Sequence, residues 1–419
     1  MDGIHQNSRP LLDTGNPATC RGKKAPRAAW SLRLRGVIIL LSIILSICGC
    51  TGKEERIGIA TPPQERKFLI AVFPVENLSG KVAPLGEIGT LFKEGLKGYG
   101  FGILDDEVLN TVITRHRVRY TAGVEKGIGK AFKDETGADA ILIPSVELYD
   151  DVDPPKVALF CRLVSTGDDP AILWIDGTGI AGDDSPGILG LGLVEEPRVL
   201  LAKAVESLTR SLAQYGSEGG DSPKGERGAR KFRPKIVYRS DGVDPEKKYS
   251  IAVVPFFNKS DRKYAGEIIA LHMIRNLMAP GHFEIVEPGI VRQELLRFRI
   301  IMSEGVSLPD TETILNAVNA DLVLNGEVLE YQDYPGPEGN AKVDFSVLFI
   351  ERKTRKVVYS SYSQNTGDDG VLFFDWGKVN TAHAMASQMA RAIGQRMLME
   401  ADRSQTSRIS TEQKSTTQP

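Results

Sequence analysis

The side chains able to do chemistry are few, and their spacing is uninviting. The histidines are His5, His116, His272, His282 and His383, and none stands at metal-ligand spacing from another His or a Cys. No metal site and no cofactor is expected on this pattern. Val124-Glu-Lys-Gly-Ile-Gly-Lys-Ala131 approaches a phosphate-binding loop, but Val124 replaces the first glycine and Ala131 the Ser or Thr. Gly98-Tyr-Gly-Phe-Gly102 precedes a strand-like run where a dinucleotide loop would follow one, so it reads as a turn. Cys161 alternates with Val157, Leu159 and Leu163, which makes it a buried thiol rather than a nucleophile. Asp183-Asp184 and Asp368-Asp369 each follow a glycine and lack the alternating rhythm of a calcium loop, so turn formation is the expectation. Two charge pairs recur, Arg115/Arg117 and Arg297/Arg299; they either flank a groove for an acidic partner or are solvated. Phe373, Phe374 and Trp376 either cover a sheet or form an exposed docking patch. No nucleophile–base pair emerges, so an enzyme is not expected; a hydrolase would need His116 or His383 beside an acid and a serine in one cleft.

One cysteine has a clearer chemistry. Residues 21–35 carry six Lys or Arg and no acid, and Val37–Cys48 is an apolar run ending in Ile47-Cys48-Gly49-Cys50. A basic segment followed by a short apolar one is the layout of a secretory signal, and the run falls short of the about 20 residues a spanning helix needs. The branched aliphatic, two short residues and cysteine resemble the bacterial lipobox. That resemblance implies cleavage before Cys50 and a lipid on its thiol, an anchor to the membrane at the periplasmic face. Thr51, in place of Asp, leans towards the outer membrane.

Behind these residues stands a duplicated scaffold. Ile70-Ala-Val-Phe-Pro-Val75 returns as Ile251-Ala-Val-Val-Pro-Phe256. Gly86-Glu-Ile88 returns as Gly266-Glu-Ile268, Phe101-Gly-Ile-Leu104 as Phe283-Glu-Ile-Val286, and Ala138-Asp-Ala-Ile-Leu142 as Ala320-Asp-Leu-Val-Leu324. An offset held at 180 to 182 residues marks an internal repeat. Buried strands are expected at 68–75 and 138–148, helices at 85–97, 105–113 and 125–136, and a hairpin from 157 to 180 by its period-two alternation. A long helix near 194–214 would bury Val199, Ala202, Val205, Leu208 and Leu212. Each copy then reads β-α-β-α-α-β-β-β-α, an α/β fold with a mixed sheet covered by helices. The expected divisions are 1–50 signal segment with an extended basic region, 51–66 tether, 67–215 first domain, 216–248 flexible linker, 249–400 second domain and 401–419 disordered tail. The net charge of −2 gives no global attraction to nucleic acid.

The repeated pieces, with Val291-Arg-Gln-Glu-Leu-Leu296 and Asn319-Ala-Asp-Leu-Val-Leu324, resemble domains of the curli-secretion lipoprotein and TolB N-terminal-like superfamily. The resemblance implies a lipid-anchored periplasmic protein that binds or assembles an envelope system through a protein partner. The alternative it implies is a subunit of an oligomeric outer-membrane secretion apparatus, possible as a homo-oligomer. A pore is disfavoured: the loops Asp150–Lys156 and Asp333–Lys342 are too short for the spanning strands of about 9–11 residues that a barrel needs.

Overall fold

The computed structural model describes residues 67–184, 192–217, 232–240, 244, 247–279, 281–300, 306, 308–335, 339–369, 371 and 377–397. All of them belong to one compact unit. The expected lipobox with Cys50, the expected signal segment and tail, and Phe373, Phe374 and Trp376 lie outside the described residues.

Two mixed sheets are built in the same order. In the first, β1 (Leu69–Val72) lies parallel between β3 (Gly102–Ile103) and β4 (Ala140–Asp150). Beyond β4 the strands β5 (Lys156–Ser165) and β6 (Ile172–Ala181) continue antiparallel, and β2 (Glu76–Asn77) extends β1's line along β4. The second sheet repeats this with β10 (Phe283–Ile285), β8 (Tyr249–Val253), β11 (Leu322–Gln332), β12 (Lys342–Glu351) and β13 (Val357–Thr366), while β9 (Phe257–Asn258) pairs with β11. The first sheet's helices are α1 (Leu85–Gly98), α2 (Asp106–Arg115), α3 (Lys126–Thr136) and α4 (Pro197–Ser217). Those of the second are α5 (Ala265–Met278), α6 (Pro288–Arg297), α7 (Leu308–Ala317) and α8 (382–397). The α/β mixed-sheet fold is thus the one the alternation of apolar periods implies.

Local chemistry sets the element ends. Asp105 caps α2 by accepting from the Glu107 N–H at 2.8 Å, and Gly137 ends α3 in the left-handed conformation at φ 68°. Two expectations shift. The buried stripe of α4 is Leu200, Leu201, Ala204, Val205, Leu208 and Leu212, whereas Val199 and Ala202 face outward. A helix buries neighbouring pairs on either side of its contact line, and the expected stripe stood one residue off that line. Within 216–248, read as flexible linker, Ile236–Arg239 forms β7, an antiparallel edge strand on β13, and Phe232 is fully buried.

The two copies pack head to tail. The first sheet keeps α1 and α4 on one face, over Leu142, Leu159 and Cys161. Its opposite face holds α2 and α3 towards one end. Towards the hairpin, Phe160, Ile172 and Ile175 join the core formed by α5, α8 and the second sheet. The helix layer of the second copy is therefore filled on both sides. This explains why α5 and α8 are buried almost all round, with apolar Ile268, Ile269, Leu271, Met273 and Ile274 and Met385, Ala386, Met389 and Ala390 filling their cores, while α1 and α4 carry an exposed polar face.

Candidate functional site

The seam between the copies is where the ionisable residues gather. Strand β4 has a bulge: Val146 pairs with Leu159 and Leu148 with Ala158, which leaves Glu147 as the extra residue. Bulges re-aim side chains, and Glu147 is fully buried in the seam. His383 Nδ1 at the start of α8 lies 2.5 Å from Glu147 Oε2, and His272 Nε2 of α5 lies 3.7 Å from the same oxygen. The Tyr331 hydroxyl donates to Oε1. Phe160 packs against both imidazoles at centroid distances of 4.7 and 4.9 Å, and the two rings lie 4.6 Å apart. A Cβ on Gly179 would sit 2.7 Å from His383 Cβ, so β6 is bare there to seat the ring. Burial alone would push the Glu147 carboxyl up, but the imidazoles beside it hold it below the usual carboxylate range. Burial pushes His272 down to about 4, against the pull of Glu147. Burial also raises Asp333 to about 6, and its carboxylate accepts from the Ala382 N–H at 2.7 Å. Among the described residues, Glu147, His272 and His383 are the one cluster whose donor atoms converge as a metal's ligands would, all within 4.8 Å.

A second polar contact crosses the seam. Glu287, the N-cap of α6, accepts from Arg162 Nη2 at 3.2 Å and from the Val124 N–H at 3.1 Å. Arg162 also donates to the Ala122 carbonyl at 2.7 Å, and Arg292 lies 4.1 Å over the Tyr120 ring. Arg162 is 4% and Glu287 0% exposed, so each is the other's buried ionic partner. The backbones touch here: a Cβ on Gly289 would come within 2.3 Å of Val124 N.

Among the described residues, the second sheet lacks such a cover. Phe160 pairs with Ser145 on β4 as Ser346 pairs with Glu327 on β11, and Arg162 with Ile143 as Leu348 with Asn325. Phe160 and Arg162 meet the second copy; Ser346 and Leu348 instead line an open groove of about 600 Å³ with Phe257, Ser360 and Tyr362. Ile236 of β7 extends its wall with 67% of its surface exposed. The bulge recurs too, at Leu329, which is 41% exposed where its counterpart Glu147 is buried. At the rim Lys259 and Glu327 pair at 3.0 Å.

The candidates read from spacing fall elsewhere. Arg115 and His116 share Glu135, each at 2.5 Å, and Arg297 pairs with Glu294. Arg117 and Arg299 occupy left-handed positions at φ 52° and 58°, just past α2 and α6. In both, the next N–H returns to the helix, Val118 to the Ile113 carbonyl and Ile300 to the Leu295 carbonyl. The repeated arginines thus mark two equivalent helix ends. Asp184 and Asp369 accept from the Ala181 and Thr366 N–H groups, closing turns. Cys161 is buried, which pushes its thiol well up. His383 does meet an acid, but in a closed seam with an imidazole and a tyrosine. Glu147, His272 and His383 escaped spacing rules because Glu147 and His383 stand 236 positions apart. Their signal was a carboxylate, Glu147, between Val146 and Leu148 in the strand Ala140–Asp150, and the single imidazole of the helix Ala265–Met278.

No family model matches the chain, and no curated protein does. Among solved structures, the PelC dodecamer from Paraburkholderia phytofirmans is 16% identical, covering 38% of this chain and 91% of that one, with a TM-score of 0.27. Lipoprotein GNA1162 from Neisseria meningitidis is 21% identical over 35% of this chain and 99% of that one, with a TM-score of 0.25. The LpoB C-terminal domain from Salmonella enterica is 17% identical over 34% and 93%, with a TM-score of 0.23. Among the described residues, no helix is long and apolar enough to cross a membrane.

Proposed function

We propose that the protein is a non-catalytic, lipid-anchored binding or assembly factor of the cell envelope, held by Cys50 at the periplasmic face, with the outer membrane as its site. The observation that carries the binding role is the open face of the second sheet. On the first sheet the same face is filled by a layer of helices; on the second it presents Phe257, Leu348 and Ile236 around a groove. The internal precedent defines the occupant's chemistry: an apolar helical face on an envelope protein, docked across β11–β13. The likeness to curli-secretion and TolB N-terminal-like domains supports the same compartment.

A photo-crosslinking residue at Ser346 should give one discrete adduct in intact envelopes, and Leu348→Arg should abolish it. The same probe at Glu94, on the outward face of α1, should give none. Cys50→Ala should release the chain from the membrane. An adduct that survives Leu348→Arg, or none at all, rejects the groove; unchanged membrane retention rejects the anchor.

The second reading, a subunit of an oligomeric secretion apparatus, draws on the head-to-tail packing, since such contacts close into rings when they repeat. The outward face of α1 and α4 carries Glu94, Lys97, Lys203, Glu206 and Arg210, whereas α5 and α8 are largely buried, which favours the first reading. A large homogeneous species in detergent would favour the second.

A further inference from the structure

We propose that Glu147, His272 and His383 form a binding site for one divalent transition-metal ion of the zinc class, which pins the second copy onto the first. The first argument is unsatisfied chemistry. Neither ring nitrogen of His272 has a hydrogen-bond partner, although the residue is 0% exposed, and His383 Nε2 has none either. A buried imidazole left in that state is costly, and such groups in a folded protein call for an ion or a water. Hydrogen bonding within the cluster satisfies one imidazole at a time: His383 takes Glu147 Oε2, and His272 is left at 3.7 Å. A cation between Glu147 Oε2, His383 Nδ1 and His272 Nε2 engages one nitrogen of each ring and the carboxylate together, and gives the unpartnered His272 Nε2 a ligand.

Geometry and charge agree. Ligand atoms about 2.0–2.2 Å from a tetrahedral zinc stand about 3.3 Å from one another. The two distances to Glu147 Oε2, 2.5 and 3.7 Å, straddle that separation, so small side-chain rotations suffice. Two imidazoles and one carboxylate suit zinc and its neighbours rather than calcium or magnesium. Tyr331 donates to Glu147 Oε1, which fixes the carboxylate and leaves Oε2 for the ion, an outer-shell contact of the kind that orients metal ligands. Phe160 packs against both rings, and a water would complete the ion's four-coordinate shell. The ligands come from β4 of one copy and from α5 and α8 of the other, so the site is complete only when the seam is closed.

Untagged full-length protein in detergent, exposed to Zn²⁺ and then dialysed, should retain one equivalent by elemental analysis, and a chelator should lower its thermal midpoint. The His272→Leu/His383→Leu variant should retain none and show no response to Zn²⁺ or chelator. Should that variant fail to fold, the native chain loaded with Co²⁺ decides: intense visible absorption of a four-coordinate nitrogen and oxygen site supports the proposal. A six-coordinate or absent Co²⁺ spectrum, no retained Zn²⁺, or equal retention by a folded variant overturns it.

Discussion

A single carboxyl group illustrates how much placement outweighs residue type. Glu76 sits in β2, where the Ser145 hydroxyl donates to it at 2.8 Å. Burial pushes its carboxyl up to about 7, against the hydrogen bond from Ser145; Arg162 and Arg292 lower it and Glu267 raises it. A folded-state value above the unfolded one means that the folded protein holds the proton more tightly. The associated stability is complete below about pH 4.5 and is lost as pH rises through about 7, a span worth on the order of 2–3 kcal/mol. Glu76→Gln, which cannot ionise, should match the parent in urea midpoint at pH 4.5 and exceed it at pH 8; curves that stay parallel would refute the assignment. In the sequence this residue stands just past the strand expected at 68–75, two positions after Pro74. Nothing local could reveal that it faces Ser145, 69 positions on.

At the scale of elements the sequence was most legible where one face of a strand or helix is buried. The hairpin residues Val157, Leu159, Cys161 and Leu163 alternate as read and share one core, and α3 stops at Gly137 as its glycine implies. The apolar period reports the nearest layer, because side-chain direction repeats every two or 3.6 residues. It says nothing about a second layer arriving from another copy. Phe160 and Arg162, on the other face of β5, acquire meaning only against α5, α8 and Glu287. At Gly289 the approach is backbone on backbone. Gly289→Ala would drive a Cβ to 2.3 Å from Val124 N and should lower stability by about 1–3 kcal/mol. Gly127→Ala in α3, with nothing within 4 Å, should instead raise it by about 0.5–1 kcal/mol. The pair of urea midpoints checks the seam against a helix-propensity effect; a neutral Gly289→Ala would mean the copies do not meet there.

For the whole molecule the head-to-tail seam predicts shared folding. Separated, the first copy would expose Phe160, Ile172 and Ile175 and leave Arg162 without Glu287. The intact chain should therefore unfold in one calorimetric transition, and residues 67–217 alone should melt lower than the full chain and bind hydrophobic dyes. Two well-resolved transitions in the intact chain would show that the copies fold independently. The like strand order of the two sheets was foreshadowed by Ile70–Val75 and Ile251–Phe256, yet their asymmetry was not, because it lies in which faces are polar. Among the described residues, the first copy's sheet is occupied and its helices carry a charged outer face, while the second copy's helices are enclosed and its sheet stands open. On the proposed binding role, such a chain has a valence of one: it would accept a single guest at one end and carry at the other a surface that tells the next molecule to stop.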